Sequence, residues 1–355
     1  MSCDKSLDIQ HAVQRAFDDQ TPLCIRGTGS KHFYGQSVHA EHTPLETSGH
    51  TGVTSYEPTE LVITARNGTT LTEIESVLND NKQMLPFEPP HFGDGGSIGG
   101  IVASGLSGPR RPYSGSLRDA VLGVRCINGK GEILRFGGEV IKNVAGYDVS
   151  RLMAGSMGTL GVLLDISIRV IPTPEQELTL VLEQDTEQAL QTMIKINGKA
   201  LSISGCCHHD NTLSIRLSGN QAAVQHARKE IGGDELDQSN QFWQQLRDHH
   251  LAFFNDPRPL WRLSLPPATR SLDLDGDCII DWAGAQRWLK TDKPADKIRS
   301  HCHAHGGHAT LYNPGSSGID AFQPLPPAIA NLHVRLKESF DPHGILNPGR
   351  MYSQV

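Results

Sequence analysis

The sequence predicts an α+β fold of two domains with a short C-terminal return. Three observations carry this. The chain opens as strand, glycine turn, strand and helix. A strictly alternating strand at Val162–Val170 is closed by Pro172 and Pro174, the best domain boundary. The texture then changes to a βαββα run, the start of a ferredoxin-like unit. With 355 residues the chain has room for two or three domains of about 100–200 residues each.

Composition narrows the function classes. Hydrophobic residues make up 37% and charged residues 20%, enough to bury a core and exclude wholesale disorder. Net charge is 32 − 39 = −7 with no basic run, which argues against nucleic acid. No apolar stretch approaches the roughly 18 residues a membrane helix needs. The start, Met1-Ser-Cys-Asp-Lys, lacks the basic and apolar regions of a signal peptide. Seven cysteines with no Cys-x-x-Cys fit a reducing cytoplasm and argue against an iron–sulfur or zinc-ribbon site. The anomaly is glycine: 36 residues, crowded into 93–108 and 115–161, against a usual share of about 7%.

The elements follow in order. Ile9, Val13, Ala16 and Phe17 share one helical face, and Pro22 ends that helix. Leu23-Cys-Ile25 reads as a strand running into Arg26-Gly-Thr-Gly-Ser30. A second strand spans Leu61–Ala65. Thr70 and Glu73 form a capping box for a helix whose buried stripe is Leu71, Ile74, Val77 and Leu78. Strands at 120–127 and 132–136 flank the hairpin signal Asn128-Gly-Lys-Gly131. In Val162–Val170 the even-numbered apolar residues point one way. Beyond 175 we expect strands at 178–182, 201–206, 212–217, 260–265 and 278–282. Helices are expected at 186–196, 220–231, 240–250, 285–301 and 327–340.

The strongest chemical feature is Gly93-Asp-Gly-Gly-Ser-Ile-Gly-Gly-Ile-Val-Ala-Ser-Gly-Leu-Ser-Gly108, seven glycines in sixteen residues. Glycines let backbone N–H groups approach an anion and form a nest for a diphosphate. Alone, such a run is as readily a plain turn. The turn 26–30 and Gly155-Ser-Met-Gly-Thr-Leu-Gly161 add two more loops that can converge on one extended ligand, with Lys142-Asn-Val-Ala-Gly-Tyr-Asp148 just before the latter. No Gly-x-Gly-x-x-Gly opens a strand–helix unit, so a Rossmann site is disfavoured. Gly123 to Gly129-Lys130 has the wrong spacing for a Walker A loop, and Gly131 stands where Ser or Thr is required.

These motifs carry a resemblance. The order Arg26-Gly-x-Gly-Ser30, Pro89-Pro90, Gly96-Ser-Ile-Gly-Gly100, Ser114-Gly-Ser116 with Asp119, Gly146-Tyr-Asp148 and Gly155-Ser-x-Gly-Thr-Leu-Gly161 resembles the vanillyl-alcohol-oxidase/p-cresol-methylhydroxylase (PCMH-type) flavoproteins. Met84-Leu-Pro-x-Glu-Pro-Pro90, Gly108-Pro-Arg-Arg-Pro112, Phe242-Trp-Gln-Gln-Leu-Arg247 and Asn347-Pro-Gly-Arg-Met-Tyr352 resemble, more closely, the FAD-binding E subunits of bacterial glycolate oxidase (glycolate dehydrogenase). The resemblance covers essentially the whole chain. It implies a two-subdomain PCMH-type FAD-binding domain at 1–172, a smaller ferredoxin-like cap at 175–322, and a tail at 323–355 returning to the first domain.

It also implies FAD, with the diphosphate on the 26–30 and 96–100 backbones and the flavin ring near Gly158, Gly161 and Val162. The positions carried over as cofactor-binding are Arg26, Gly27, Thr28, Gly29, Ser30, Pro90, Gly96, Ser97, Ile98, Gly99, Gly100, Ala103, Ser104, Ser114, Gly115, Ser116, Asp119, Gly158, Gly161, Val162 and Asn347. A bulky residue at Gly99 is expected to abolish flavin uptake. Relatives that link FAD covalently use a histidine in the first turn. Ser30 stands there and His32 falls two residues late, so non-covalent FAD is expected.

The implied function is a flavoprotein subunit oxidising glycolate to glyoxylate beside a sister flavin subunit and an iron–sulfur subunit. It would be cytoplasmic, reaching the inner membrane only through partners. Catalytic relatives carry a Glu-His-Gly cap segment, and it does not occur here. The catalytic candidates are therefore only His308, in Gly306-Gly-His-Ala, and Arg110 and Arg111, a site for a carboxylate or phosphate or else a solvated turn. A self-sufficient D-lactate-type 2-hydroxyacid dehydrogenase and a flavin-fold scaffold remain as alternatives. His301-Cys-His-Ala-His305 reads better as a helix end than as a metal site. Cys206-Cys-His-His209 lies in a strand, where neighbours face opposite ways. No metal is expected. The four tryptophans read as cap core or interface.

Overall fold

The computed structural model describes residues 2–37, 41–93, 95–138, 148–314 and 318–353. Two compact units divide the chain. The first comprises Met1–Leu106, Ser116–Pro172 and Pro324–Val355, the second Ser107–Gly115 and Thr173–Gln323. Ser107–Gly115 thus packs in the second unit although it lies within the 1–172 span.

Up to Pro172 the elements are α1 (Ser6–Asp18), β1 (Leu23–Arg26), β2 (Thr43–Glu46), β3 (Val53–Glu57), β4 (Val62–Arg66), α2 (Leu71–Asn79) and β5 (Gln83–Met84). Then come α3 (Ile98–Ser104), α4 (Arg111–Ser114, in the second unit), α5 (Leu117–Ala120), β6 (Val121–Ile127), β7 (Ile133–Gly137), α6 (Val149–Met153), β8 (Val162–Arg169) and β9 (Ile171–Pro172). A five-stranded antiparallel sheet runs β3-β4-β8-β6-β7, and β1-β2 form a separate parallel pair. The β6–β7 hairpin closes at Asn128–Gly131, where Asn128 Oδ1 accepts from the N–H groups of Lys130 and Glu132 at 3.0 Å each.

β8 explains the core. Leu163, Ile166 and Ile168 pack with α2 and α3, while Val162 and Leu164 pack with Ile9 and Val13 of α1. The expected single-faced alternation breaks because the pairing of β6 with β8 shifts register between Arg125 and Cys126. Such an irregularity re-aims the side chains that follow it.

The glycine-rich run is not all loop. Ile98–Ser104 is helical, with Ser97 as N-cap and Gly105 as C-cap at φ 68°. Helical glycine costs roughly 0.5–1 kcal/mol relative to alanine. Gly99 has a packing reason: a Cβ there would stand 2.7 Å from Asn67 Cβ and 2.8 Å from Asn67 O.

The second unit continues with β10 (Gln176–Glu183), α7 (Thr186–Asn197), β11 (Ile203–His209), β12 (Thr212–Gly219), α8 (Gln221–Ile231), β13 (Asp234–Glu235), α9 (Ser239–Arg247) and β14 (Leu260–Ser264). It ends with β15 (Asp277–Asp281), β16 (Gln286–Lys290), α10 (Ala295–Ala304) and β17 (His308–Leu311). One eight-stranded sheet runs β13-β10-β12-β11-β15-β16-β14-β17. The last helix, α11 (Pro327–Phe340), belongs to the first unit. The expected helix at 285–301 is two elements. Residues 286–290 form a strand, all buried, paired on one side to β14 and on the other to β15. Two neighbouring strands outweigh local propensity, and Pro294 then starts α10.

Candidate functional site

Strand β1 delivers the chain into the turn Gly27–Ser30, with Gly29 at φ 79°. Only glycine holds that backbone region without steric cost. Ser156–Gly158 approaches from a second loop, docked on α3 by hydrogen bonds from Gly155 N to Val102 O at 2.9 Å and from Met157 N to Ala103 O at 2.8 Å. These segments line one cavity of about 120 Å³.

Of the residues singled out from sequence, Arg26, Gly27, Thr28, Gly29, Ser30, Ser97, Gly99, Gly100, Ala103, Ser104, Gly158, Gly161 and Asn347 line this cavity. The others do not. Val162 is core against α1, and Ile98 is core beside α2. Gly96 is not among the lining residues, although its Cβ position lies beside Lys31 Nζ and Ser30 Oγ, which belong to lining residues. Pro90 is buried outside the lining. Ser116 and Asp119 form the capping box of α5, with Ser116 Oγ to Asp119 Oδ2 at 2.7 Å. Ser114 and Gly115 belong to the second unit. Lys142–Tyr147 lies outside the described residues, while Asp148 caps α6.

The donors of the cavity are unevenly distributed. In α3, Ile98 N donates to Thr69 O, Gly99 N to Asn67 O and Gly100 N to Ser97 Oγ, at 2.9, 2.8 and 3.3 Å. Those groups are engaged within the chain, so the 98–100 backbone contributes surface rather than anion donors. Among the described residues, no acceptor pairs with the N–H groups of Gly27, Thr28, Gly29 or Ser30. Asn67 Oδ1 is buried and lacks a donor. Sequence reasoning missed Asn67, Lys31, Thr47 and Arg350, which also line the cavity. Lys31 and Arg350 had a signal, standing beside the glycine turn and in the Asn-Pro-Gly-Arg tail.

The tail builds the turn's support. Arg350 donates to the carbonyls of Gln36, His32 (3.2 Å) and Tyr34 (2.6 Å). Its burial costs solvation, which lowers its pKa. Burial, then Arg350 and Arg26, push the His32 imidazole below its ordinary pKa. The electrostatics around the turn therefore favour an anion.

The catalytic candidates lie in the second unit and separate in role. Arg110 is buried, with Nη2 donating to Glu177 Oε2 at 2.6 Å and Nη1 to Ser218 Oγ at 3.1 Å. It is a structural ion pair. The Arg111 guanidinium lies over the Trp282 ring at 4.3 Å, and Arg262, missed from sequence, lies over the same ring at 5.8 Å. His308 opens β17 opposite Ser264. Desolvation, then Arg262, lowers its pKa. The His301 and His305 rings stack at 5.7 Å on the last turn of α10, and Gly306 follows at φ 76°. Among the described residues, no three His, Cys, Asp or Glu side chains group as metal ligands would. No helix among them is long and apolar enough to cross a membrane.

Comparison with known proteins agrees with this geometry. Residues 1–137 match the FAD binding domain family. The chain is 48% identical over 353 residues to the glycolate oxidase subunit GlcE of Escherichia coli K12, covering 99% of each chain. It is 39% identical over 101 residues to the glycolate oxidase subunit GlcD of Bacillus subtilis, covering 28% of this chain and 22% of that one. The structure of p-cresol methylhydroxylase aligns with a TM-score of 0.73 at 14% identity, covering 100% of this chain and 88% of the other. That last likeness shows the fold alone, the one that p-cresol methylhydroxylase has.

Proposed function

Since the chain belongs to the family of the glycolate oxidase subunit GlcE, we propose that it is the FAD-carrying subunit of an assembly oxidising glycolate to glyoxylate. Its cofactor is FAD. The observation that carries the reading is the cavity where the Gly27–Ser30 turn, α3 and the Ser156–Gly161 loop meet. The cavity fits the cofactor chemically. Unpaired backbone N–H groups suit phosphate oxygens, and the orphaned Asn67 Oδ1 suits a hydroxyl or N–H of a ligand. Bound there, FAD supplies two-electron oxidation and onward electron passage. The absence of histidine at position 30 supports non-covalent binding.

Each part of the chain then has a task. The Gly27–Ser30 turn binds, Asn347 and Arg350 hold the turn in shape, and Gly158 leaves room for the Asn347 amide. The isolated second unit offers His308 but no acidic partner for it in sequence. Glycolate oxidation is therefore assigned to the assembly, with a sister flavin subunit like GlcD and an iron–sulfur subunit to carry electrons away. Seven free cysteines support a cytoplasmic, reducing setting.

A second reading, a self-sufficient 2-hydroxyacid dehydrogenase, draws on Arg111 and Arg262 about Trp282, two cations suited to a carboxylate. Anaerobic titration of the purified chain separates the two. Flavin absorbance bleached by glycolate or D-lactate with the chain alone supports the second reading. Bleaching only after the sister subunits are added supports the first. A colourless chain that takes up no FAD overturns both and leaves a scaffold.

A further inference from the structure

Lys31 is a buried cation with no carboxylate partner among the described residues. Its side chain follows the glycine turn directly and is only 9% exposed. Nζ has Ser30 Oγ at 3.2 Å and the Phe92 ring at 5.8 Å to the centroid. Among the described residues, no carboxylate pairs with it. Nζ also lies against the Gly96 backbone, on the side where a Cβ would stand. Burying an ammonium without a counter-charge is strongly unfavourable, and folds keep such a group when something charged arrives to meet it. Lys31 lines the same cavity as the unengaged N–H groups of Gly27, Thr28, Gly29 and Ser30. Donors and cation therefore come from one turn and line one cavity.

We propose that Lys31 is the cation that neutralises the FAD diphosphate in this chain, completing the donor set of the 27–30 turn. The proposal rests on the placement of FAD in this cavity. A point charge at hydrogen-bond range makes phosphate binding stronger than amide donors alone. The ring-bearing half of the ligand gains nothing from it.

The test compares FAD, ADP and riboflavin as ligands of the full-length apo chain, by fluorescence and calorimetric titration. Lys31→Met is expected to weaken FAD and ADP by about tenfold or more, with riboflavin changed less than about twofold. The salt dependence of FAD affinity should also become shallower. Thermal unfolding of the apo variant should be unchanged or shifted upward, because an uncompensated buried charge has been removed. Wild-type affinity for ADP, or equal losses for all three ligands, would overturn the assignment. Thr28→Leu tests the placement separately. Undiminished FAD uptake in that variant sinks the placement and the Lys31 assignment with it. Lost uptake there with an unaffected Lys31→Met sinks only the assignment.

Discussion

The side-chain oxygen of Asn347 accepts the backbone N–H of Ile25 at 2.7 Å, across 322 residues of sequence. Its amide nitrogen donates to Met157 O at the same distance. One buried residue of the tail thus joins the strand that feeds the glycine turn to the loop that faces it. A methyl on Gly158 would stand 2.7 Å from that amide nitrogen, which ties the glycine to the asparagine. The neighbouring pair Lys337 and Asp341 (2.8 Å) holds the tail in place, Lys337 donating also to Thr159 O and Leu346 O.

Asn347→Ala should therefore loosen the site and the fold together. It strands a buried N–H and a buried carbonyl, at about 1–3 kcal/mol each. We expect a lower unfolding midpoint for the apo chain and faster FAD loss on dilution, read by denaturant titration and flavin fluorescence. Asn347→Asp keeps the acceptor for Ile25 but sets an anion against Met157 O, so it should rescue little. Full rescue would show that the Met157 bond carries no weight.

Gly99 and Gly100 are adjacent but should respond in opposite ways. Gly99→Ala drives a methyl into Asn67 backbone, and overpacking of this kind costs typically 1–3 kcal/mol. Its loss of flavin would report the damaged fold, so it is a poor probe of the diphosphate. A Cβ on Gly100 meets only Ser97 Oγ, at 3.5 Å. Gly100→Ala should keep or raise apo stability through helix propensity while weakening FAD, because Gly100 lines the cavity. Unaltered FAD affinity with a stable Gly100→Ala chain would move the cofactor away from α3.

FAD affinity should depend on pH through Lys31. Burial pulls the ammonium's pKa down to about 8 in the apo chain. A bound diphosphate raises it again, so the complex holds a proton the apo chain has lost. Affinity is then level below about pH 8 and falls as pH rises above it, by up to tenfold per unit until the pKa of the complex is passed. Calorimetry in buffers of different ionisation enthalpy should detect proton uptake near pH 9. The slope should vanish in Lys31→Met, since that variant cannot take up the proton.

Arg110→Met should act on stability rather than on flavin. It removes the cation from Glu177, which keeps Ser218 and Arg216 (3.9 Å) as partners. We expect a loss of about 2 kcal/mol, below the 3–5 kcal/mol of a fully orphaned buried charge. FAD content should hold. Unchanged stability with abolished glycolate-dependent reduction would instead return Arg110 to the catalytic candidates.

Local signals were legible wherever one residue type imposes one geometry. Thr70 accepts from Glu73 N at 3.2 Å, Asp210 and Asn211 turn their hairpin at φ 47° and 54°, and Gly306 ends α10. The three glycine-bearing segments that line one cavity were visible as segments because glycine runs are rare and motif order is preserved along the chain. Failures came where long-range contacts decide. Residues 286–290 carry no strand pattern of their own and become a strand because β14 and β15 flank them. β8 changes its facing at a register shift that is visible only in its pairing with β6.

The sequence by itself determined the fold class, the family and the cofactor, because these rest on turn chemistry and motif order, properties of short stretches. Only the tertiary structure decided which donors remain free for an anion. The N–H groups of 98–100 are taken by Asn67, Thr69 and Ser97, whereas those of 27–30 find no acceptor among the described residues. It likewise separated Arg110 from Arg111, neighbours in sequence, into an ion pair with Glu177 and a cation over Trp282. Hydrogen-bond saturation and charge pairing depend on groups tens to hundreds of residues away, and a single strand of letters does not carry those distances.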